Sequence, residues 1–212
     1  ATTEISTLSL HDALPICFAE APRRWALDGL AWQVTFLPPA GEAFTAAFEG
    51  LRDWTASADP RVRYFSGTAL YAGRFAWEGV RGGTRVWLDL GDVRNLAAVR
   101  LNGRDLGVAW KRPFRVELTE ALRAGENALE IRVANDWINR LVGDEQHPDD
   151  TGADAKGKLA AWPEWALKGG PRPEAGRVTL ASSKPVKRDT PLNAAGLLGP
   201  VTVAEVFEAA CK

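Results

Sequence analysis

Six residues in the middle of the chain have side chains that can do chemistry together: Trp110, Trp137, Asn139, Arg140, Asp144 and Glu145. Asp144 and Glu145 are adjacent carboxylates, and acid and base work on one bond needs both groups to converge on it. In an extended segment neighbouring side chains point to opposite faces, so there the two cannot meet at one reacting atom. No Ser-His-Asp or Cys-His set competes with them, because His147, the one histidine outside the leading segment, stands beside Pro148 in a polar stretch. Binding suits the six residues better. Indole rings stack on the C–H faces of sugars, while amide, guanidinium and carboxylate groups pair with hydroxyls. A second reading stays open beside it: Trp137 is core, and Arg140 pairs with Asp144 as a clamp, a use to which the fork of a guanidinium is well matched.

The elements that would position these residues read as strands. After Trp25 the chain shows short runs rich in aromatic and β-branched residues, broken about every ten residues by turn chemistry, the pattern of an antiparallel sandwich or barrel. The expected strands are Trp32–Phe36, Val62–Tyr64, Gly67–Trp77, Arg85–Leu90, Ala97–Leu101, Phe114–Leu118, Ala128–Ala134, Arg177–Ala181 and Val201–Phe207. Leu129, Ile131 and Val133 alternate with Glu130 and Arg132, which predicts a strand with one buried face. Asn102-Gly103 predicts a type I′ hairpin. Gly125-Glu126-Asn127 reads as a further turn, and Leu118–Leu122 as one helical turn capped by Thr119. Trp25, Trp32, Trp54, Trp77 and Trp87 lie in apolar patterns and are expected in the core or an interface. From Gly143 to Pro173 the pattern gives way to a long Asp-, Gly- and Pro-rich loop, and loops of that length are usually functional or disordered. Trp162 and Trp165 within it argue against full disorder.

Composition sets outer bounds. Hydrophobic residues make up 46% and charged residues 25% of 212, with a net charge of −1, which describes an ordinary globular chain and implies no nucleic-acid partner. No apolar run reaches the length of a membrane span. Cys17 and Cys211 offer neither a disulfide framework nor a metal-ligand pair. Asp149, Asp150 and Asp154 around Gly152 faintly resemble a calcium loop, against which stands a solvated polar loop; no other cofactor is expected. Lys184–Arg188 reads as a solvated basic cluster.

The leading residues stand apart. Thr7–Ile16 corresponds without mismatch to a translated sequencing adapter, and Ala1–Ser6 continues it with one departure at Ser6. A helix capped by Ser9 and ended by Pro15 is the competing reading. Residues 1–16 are therefore expected to be non-native, residues 17–29 a linker remnant from a lost upstream domain, and residues 30–209 one β-sandwich domain carrying the long loop 143–173.

An ordered series of motifs carries a family likeness. It runs Tyr64-Phe65-Ser66-Gly67-Thr68-Ala69, Leu88-Asp89-Leu90-Gly91, Val99-Arg100-Leu101-Asn102-Gly103, Leu106-Gly107 with Trp110, Pro113 and Phe114, then Gly125-Glu126-Asn127 and Val133-Ala134-Asn135. It ends with Trp137, Asn139-Arg140-Leu141, Gly143-Asp144-Glu145 and Gly196-Leu197-Leu198-Gly199-Pro200-Val201. The series resembles the C-terminal region of glycoside hydrolase family 106, the α-L-rhamnosidases, whose terminal sandwich is similar to the family 2 sugar-binding domain.

The resemblance implies an all-β, galactose-binding-like jelly-roll sandwich that is not itself catalytic and has carbohydrate and an upstream catalytic domain as partners. It leaves two alternatives: an autonomous carbohydrate-binding module, or a domain of a family 2-like β-glycosidase. Glycoside hydrolysis needs two carboxyl groups about 5 to 9.5 Å apart, and the likeness assigns these to the missing domain. It also implies that Trp137–Glu145 reaches toward the active site of that domain, so that Asp144→Ala or Arg140→Ala lowers turnover without unfolding. An extracytoplasmic, bacterial location follows from the family alone.

Overall fold

The computed structural model describes residues 23–27, 29–46, 50–154, 156–172 and 176–207. The strands are β1 (Arg23–Ala26), β2 (Gln33–Leu37), β3 (Phe44–Ala46), β4 (Thr68–Trp77), β5 (Thr84–Asp89), β6 (Asp92–Arg94), β7 (Leu96–Leu101), β8 (Arg104–Ala109), β9 (Arg115–Glu117), β10 (Gly125–Ala134), β11 (Gly196–Gly199) and β12 (Thr202–Phe207). Among the described residues, three short α-helices, α1 (Pro60–Arg63), α2 (Ile138–Asp144) and α3 (Glu164–Lys168), and a 3-10 turn at Trp54–Ala56 join them. The strands form a six-stranded sheet in the order β3-β2-β4-β10-β7-β8, a four-stranded sheet β1-β12-β5-β9 and a small pair β11-β6. Neighbouring strands run antiparallel. This is the antiparallel β-sandwich that the alternation of the sequence leads one to expect, and it is consistent with the galactose-binding-like fold that the resemblance implies. Among the described residues no helix is long and apolar enough to cross a membrane.

The long pair β4 and β10 is the spine, in register from Thr68 opposite Ala134 to Trp77 opposite Gly125. Its two ends define the two ends of the sandwich. On β10, Leu129, Ile131 and Val133 are buried, and they share one core with Val86, Leu88 and Val203 of the other sheet. Each such side chain removed from water contributes about 1.5–3 kcal/mol. Among the tryptophans, Trp54 is fully buried, with Trp32 and Trp77 nearly so, while Trp25 is 38% exposed.

The hairpin at Asn102-Gly103 forms as expected, with φ of 52° and 82°, the left-handed pair that a type I′ turn requires and that Asn-Gly tolerates best. Asn102 does more than turn the chain. Its Nδ2 donates to the carbonyl of Ala121 and to Oδ1 of Asn127, and its Oδ1 accepts from the amide of Ala128. Asn127 is fully buried and its Nδ2 donates to the carbonyls of Arg123 and Gly125.

Several expectations are corrected. Val62–Tyr64 is not a strand, because Val62 and Arg63 belong to α1, started by Asp59, whose Oδ1 accepts from the amide of Arg61, and by Pro60 at the first helical position. Gly125–Asn127 is the beginning of β10 and not a turn. Thr119 does not cap the turn at Leu118–Leu122; its hydroxyl instead accepts from the amide of Val86 in the facing strand. Of the stretch 17–29 read as a linker, Arg23–Ala26 is β1, paired with β12 from Arg23 opposite Glu205. Arg177–Ala181 has no regular structure, since the amides of Val178 and Thr179 go to a side chain and not to a strand. Residues 1–22, with the adapter-like segment, lie outside the described residues.

Candidate functional site

The end of the sandwich where β10 finishes carries the sequence-selected residues, and the chain is tied there before it leaves the sheet. Asn135 donates from Nδ2 to the carbonyl of Phe65 and accepts at Oδ1 from the amide of Gly67. The Ser66 hydroxyl donates to the carbonyl of Asp136 at 2.6 Å. Asp136 then receives the amide of Ile138 on Oδ1, which satisfies one of the free N–H groups at the start of α2. Trp137–Glu145 is therefore a short helix with its approach, not an extended segment, and the opposite-faces argument does not apply to Asp144 and Glu145.

The helix buries one polar face. Asn139, Val142, Gly143 and Asp144 are buried. Asn139 makes a reciprocal pair with the backbone of Asn193, donating to its carbonyl at 2.7 Å and accepting its amide at 2.8 Å. Gly143 is glycine because α2 lies so close to Tyr64 that a Cβ would stand 2.6 Å from the Tyr64 Cβ and from Nη2 of Arg140. Asp144, 2% exposed, accepts the amides of Val178 and Thr179 at 3.0 and 2.7 Å and the Thr179 hydroxyl at 2.5 Å. Its Oδ1 also lies 3.0 Å from Nη2 of Arg140.

Glu145 faces the same loop. Its Oε1 accepts from Nη1 of Arg177 at 2.7 Å, while the rest of that guanidinium donates to the carbonyls of Pro148 and His147. Further along, Arg172 grips both oxygens of Asp150, donates to the carbonyl of Thr179 and lies 5.1 Å from the centre of the Trp165 ring. Its hydrogen bonds hold the Asp150 carboxyl below the usual carboxylate range, against the upward push of burial. Burial likewise acts upward at Asp149, but hydrogen bonds from Lys184, Thr151 and Ala153 overcome it and leave that carboxyl well below its ordinary value. The long segment after α2 is thus pinned down by charged side chains, with Val186 as a rare buried apolar residue.

The six candidates therefore separate. Asn139, Arg140, Asp144 and Glu145 are engaged in holding α2 and its loop, whereas Trp110 and Trp137 are 68% and 50% exposed. The carboxylates of the calcium-like stretch also turn to different partners: Asp149 to Lys184, Asp150 to Arg172, and Asp154 to the amides of Lys156 and Lys158. Among the described residues no three acidic, histidine or cysteine side chains form a metal-holding group.

A polar depression of about 390 Å³ opens at this same end, between Asp92, Arg94, Asn95, Arg112, Asp136 and Asn193. Asp92 is shared by two guanidinium groups, Arg112 at 2.6 Å and Arg94 at 2.7 Å. None of these six was singled out from the sequence. They come from four separate segments, and only the neighbourhood of Trp110 to Arg112 and of Asp136 to Trp137 hinted at them.

Comparisons with known proteins agree with this geometry. Residues 55–164, half of the chain, match the family described as glycosyl hydrolase 2 galactose-binding domain-like. A putative beta-glucuronidase of Formosa agariphila is 37% identical over 180 residues, which are 84% of this chain and 15% of that protein. The solved rhamnosidase of Novosphingobium sp. PP1Y superimposes with a TM-score of 0.68 at 37% identity, over 88% of this chain and 15% of that one. A beta-glucuronidase of Faecalibacterium prausnitzii, 20% identical, shares the fold with a TM-score of 0.55 over 89% of this chain and 32% of its own. The chain spans about 15% of the length of the first two relatives. It belongs to the glycosyl hydrolase 2 galactose-binding domain-like family.

Proposed function

We propose that this chain is a non-catalytic, sugar-binding-type domain of a larger glycoside hydrolase of the family 106 α-L-rhamnosidase type, lying C-terminal to the catalytic domain and completing or stabilising it. The observation that carries this reading is the engagement of Asp144. A carboxylate that is 2% exposed, takes three hydrogen bonds from Val178 and Thr179 and sits against Arg140 is built to hold a loop in place. An acid or base must instead reach the proton it transfers. Trp137 and Trp110 project from the same end and offer apolar surface to a neighbouring domain or to its saccharide.

The rhamnosidase likeness at 37% identity supports the rhamnoside-cleaving parent. The equally identical putative beta-glucuronidase favours the second reading, a domain of a family 2-like β-glycosidase. By the same family resemblance the parent works outside the bacterial cytoplasm. The full-length parent decides between the two substrates when its hydrolysis of an aryl α-L-rhamnoside is compared with that of an aryl β-D-glucuronide. In it, Trp137→Ala lowers kcat/KM while the melting temperature holds. Unchanged kinetics in Trp137→Ala and Trp110→Ala contradict a role for this end of the sandwich.

A further inference from the structure

The opposite end of the sandwich holds a further cavity, remote from α2. β2 accompanies β4 only from Thr68 to Ala72, so among the described residues Gly73–Trp77 has no strand neighbour on that side. There a groove of about 850 Å³ opens between β4 and β1, lined among others by Trp25, Leu27, Leu30, Trp77, Arg81 and Glu205. Trp25 and Trp77 meet edge to face, ring centres 4.5 Å apart at 73°, and Trp25 keeps 38% of its surface exposed.

Glu205 is the second observation. It is 2% exposed, and among the described residues its side chain has one hydrogen-bond partner, the Thr84 hydroxyl at 3.2 Å, which it shares with the Arg81 carbonyl at 2.9 Å. Nε of Arg81 stands 3.8 Å from its Oε2, close enough for charge attraction and too far for a hydrogen bond. A buried carboxylate with unfilled acceptor capacity is costly, and a ligand that donates to it recovers that cost.

We propose that this groove binds a neutral sugar ring, with one C–H face on Trp25 and adjacent hydroxyls bridging Glu205 and Arg81. One hydroxyl donates to Oε2, and its neighbour accepts from the guanidinium. A saccharide supplies both the apolar face and the paired donor and acceptor on a single ring, which no single protein side chain does. The charges lining the groove balance, Arg74 and Arg81 against Glu78 and Glu205, and Glu126, paired with Arg74 beside it, adds negative charge. That balance favours an uncharged sugar over a uronate. The groove lies the length of β4, ten residues or roughly 30 Å, from α2, so it stands or falls independently of the reading of that end.

Amide-shift titration of this chain with L-rhamnose, D-galactose and D-glucuronate tests it. A neutral sugar is expected to give saturable shifts centred on Trp25–Leu27, Arg74–Arg81 and Glu205, with D-glucuronate weaker. Trp25→Ala and Arg81→Ala should each weaken binding by about tenfold, and Arg81→Lys, which keeps a cation beside the buried Glu205 while losing the guanidinium fork, should weaken binding with the wild-type melting temperature retained. Saturable shifts with none of the three sugars, shifts centred on α2, binding of the uronate alone, or full affinity in Arg81→Ala each overturn the proposal.

Discussion

Arg140 and Asp144 stand one turn apart on α2, with Nη2 of the first 3.0 Å from Oδ1 of the second, and their side chains are 17% and 3% exposed. The pair is a fastening between the helix and the segment that returns past it, because the remaining acceptor sites of Asp144 are filled by Val178 and Thr179. Asp144→Ala strips these donors of their acceptor and leaves a largely buried guanidinium without its carboxylate. Breaking a buried pair in this way costs about 3–5 kcal/mol. Chemical denaturation should show a loss of that size, and an unchanged midpoint would contradict the fastening. The expectation that Asp144→Ala lowers turnover without touching the fold therefore gives way to one in which stability falls first.

Acid should loosen the long segment before the sandwich. Asp149 and Asp150 have carboxyls held below their ordinary value of 3.8 in the fold, so the stability they contribute is present above that value and is lost as pH falls beneath it toward their lowered values. Protection of the amides of residues 145–154 and 176–188, relative to their intrinsic exchange at each pH, should fall below pH 3.8 while β4 and β10 stay protected, and Asp150→Asn should lower it at neutral pH. Equal protection of the segment on both sides of that pH would contradict its dependence on charge.

Base should act through the core. Burial pushes the Tyr71 phenol up to about 12, despite hydrogen bonds with Leu197 and Trp54 that favour ionisation. The fold thus prefers the neutral phenol, and the associated stability is complete below the ordinary value of 10.0 and lost as pH rises through about 12. Denaturation midpoints measured from pH 10 to pH 12 should fall more steeply for the wild type than for Tyr71→Phe. Parallel curves would show that Tyr71 does not carry the alkaline loss.

The sheet was legible where local pattern and tertiary role coincide. The period-two run at Leu129, Ile131 and Val133 and the Asn-Gly turn each specify their conformation within a few residues. Val62–Tyr64 misled because β-branched and aromatic side chains also suit a buried helical turn, and the deciding signal was Asp59-Pro60 just before it. Arg177–Ala181 misled because its amides are satisfied by Asp144, more than thirty residues away, and no spacing rule encodes such a partner. For the same reason Arg140 with Asp144 was foreseeable as a turn-spaced pair, whereas Arg172 with Asp150 and Arg177 with Glu145 were not.

A domain that serves a glycosidase without performing its chemistry releases no aryl alcohol, which is measured by incubating the purified chain with an aryl α-L-rhamnoside and an aryl β-D-glucuronide. Release no faster than in buffer is expected, for the chain and for its Glu145→Gln variant alike. Turnover by the chain that Glu145→Gln abolishes while the melting temperature is preserved would contradict it.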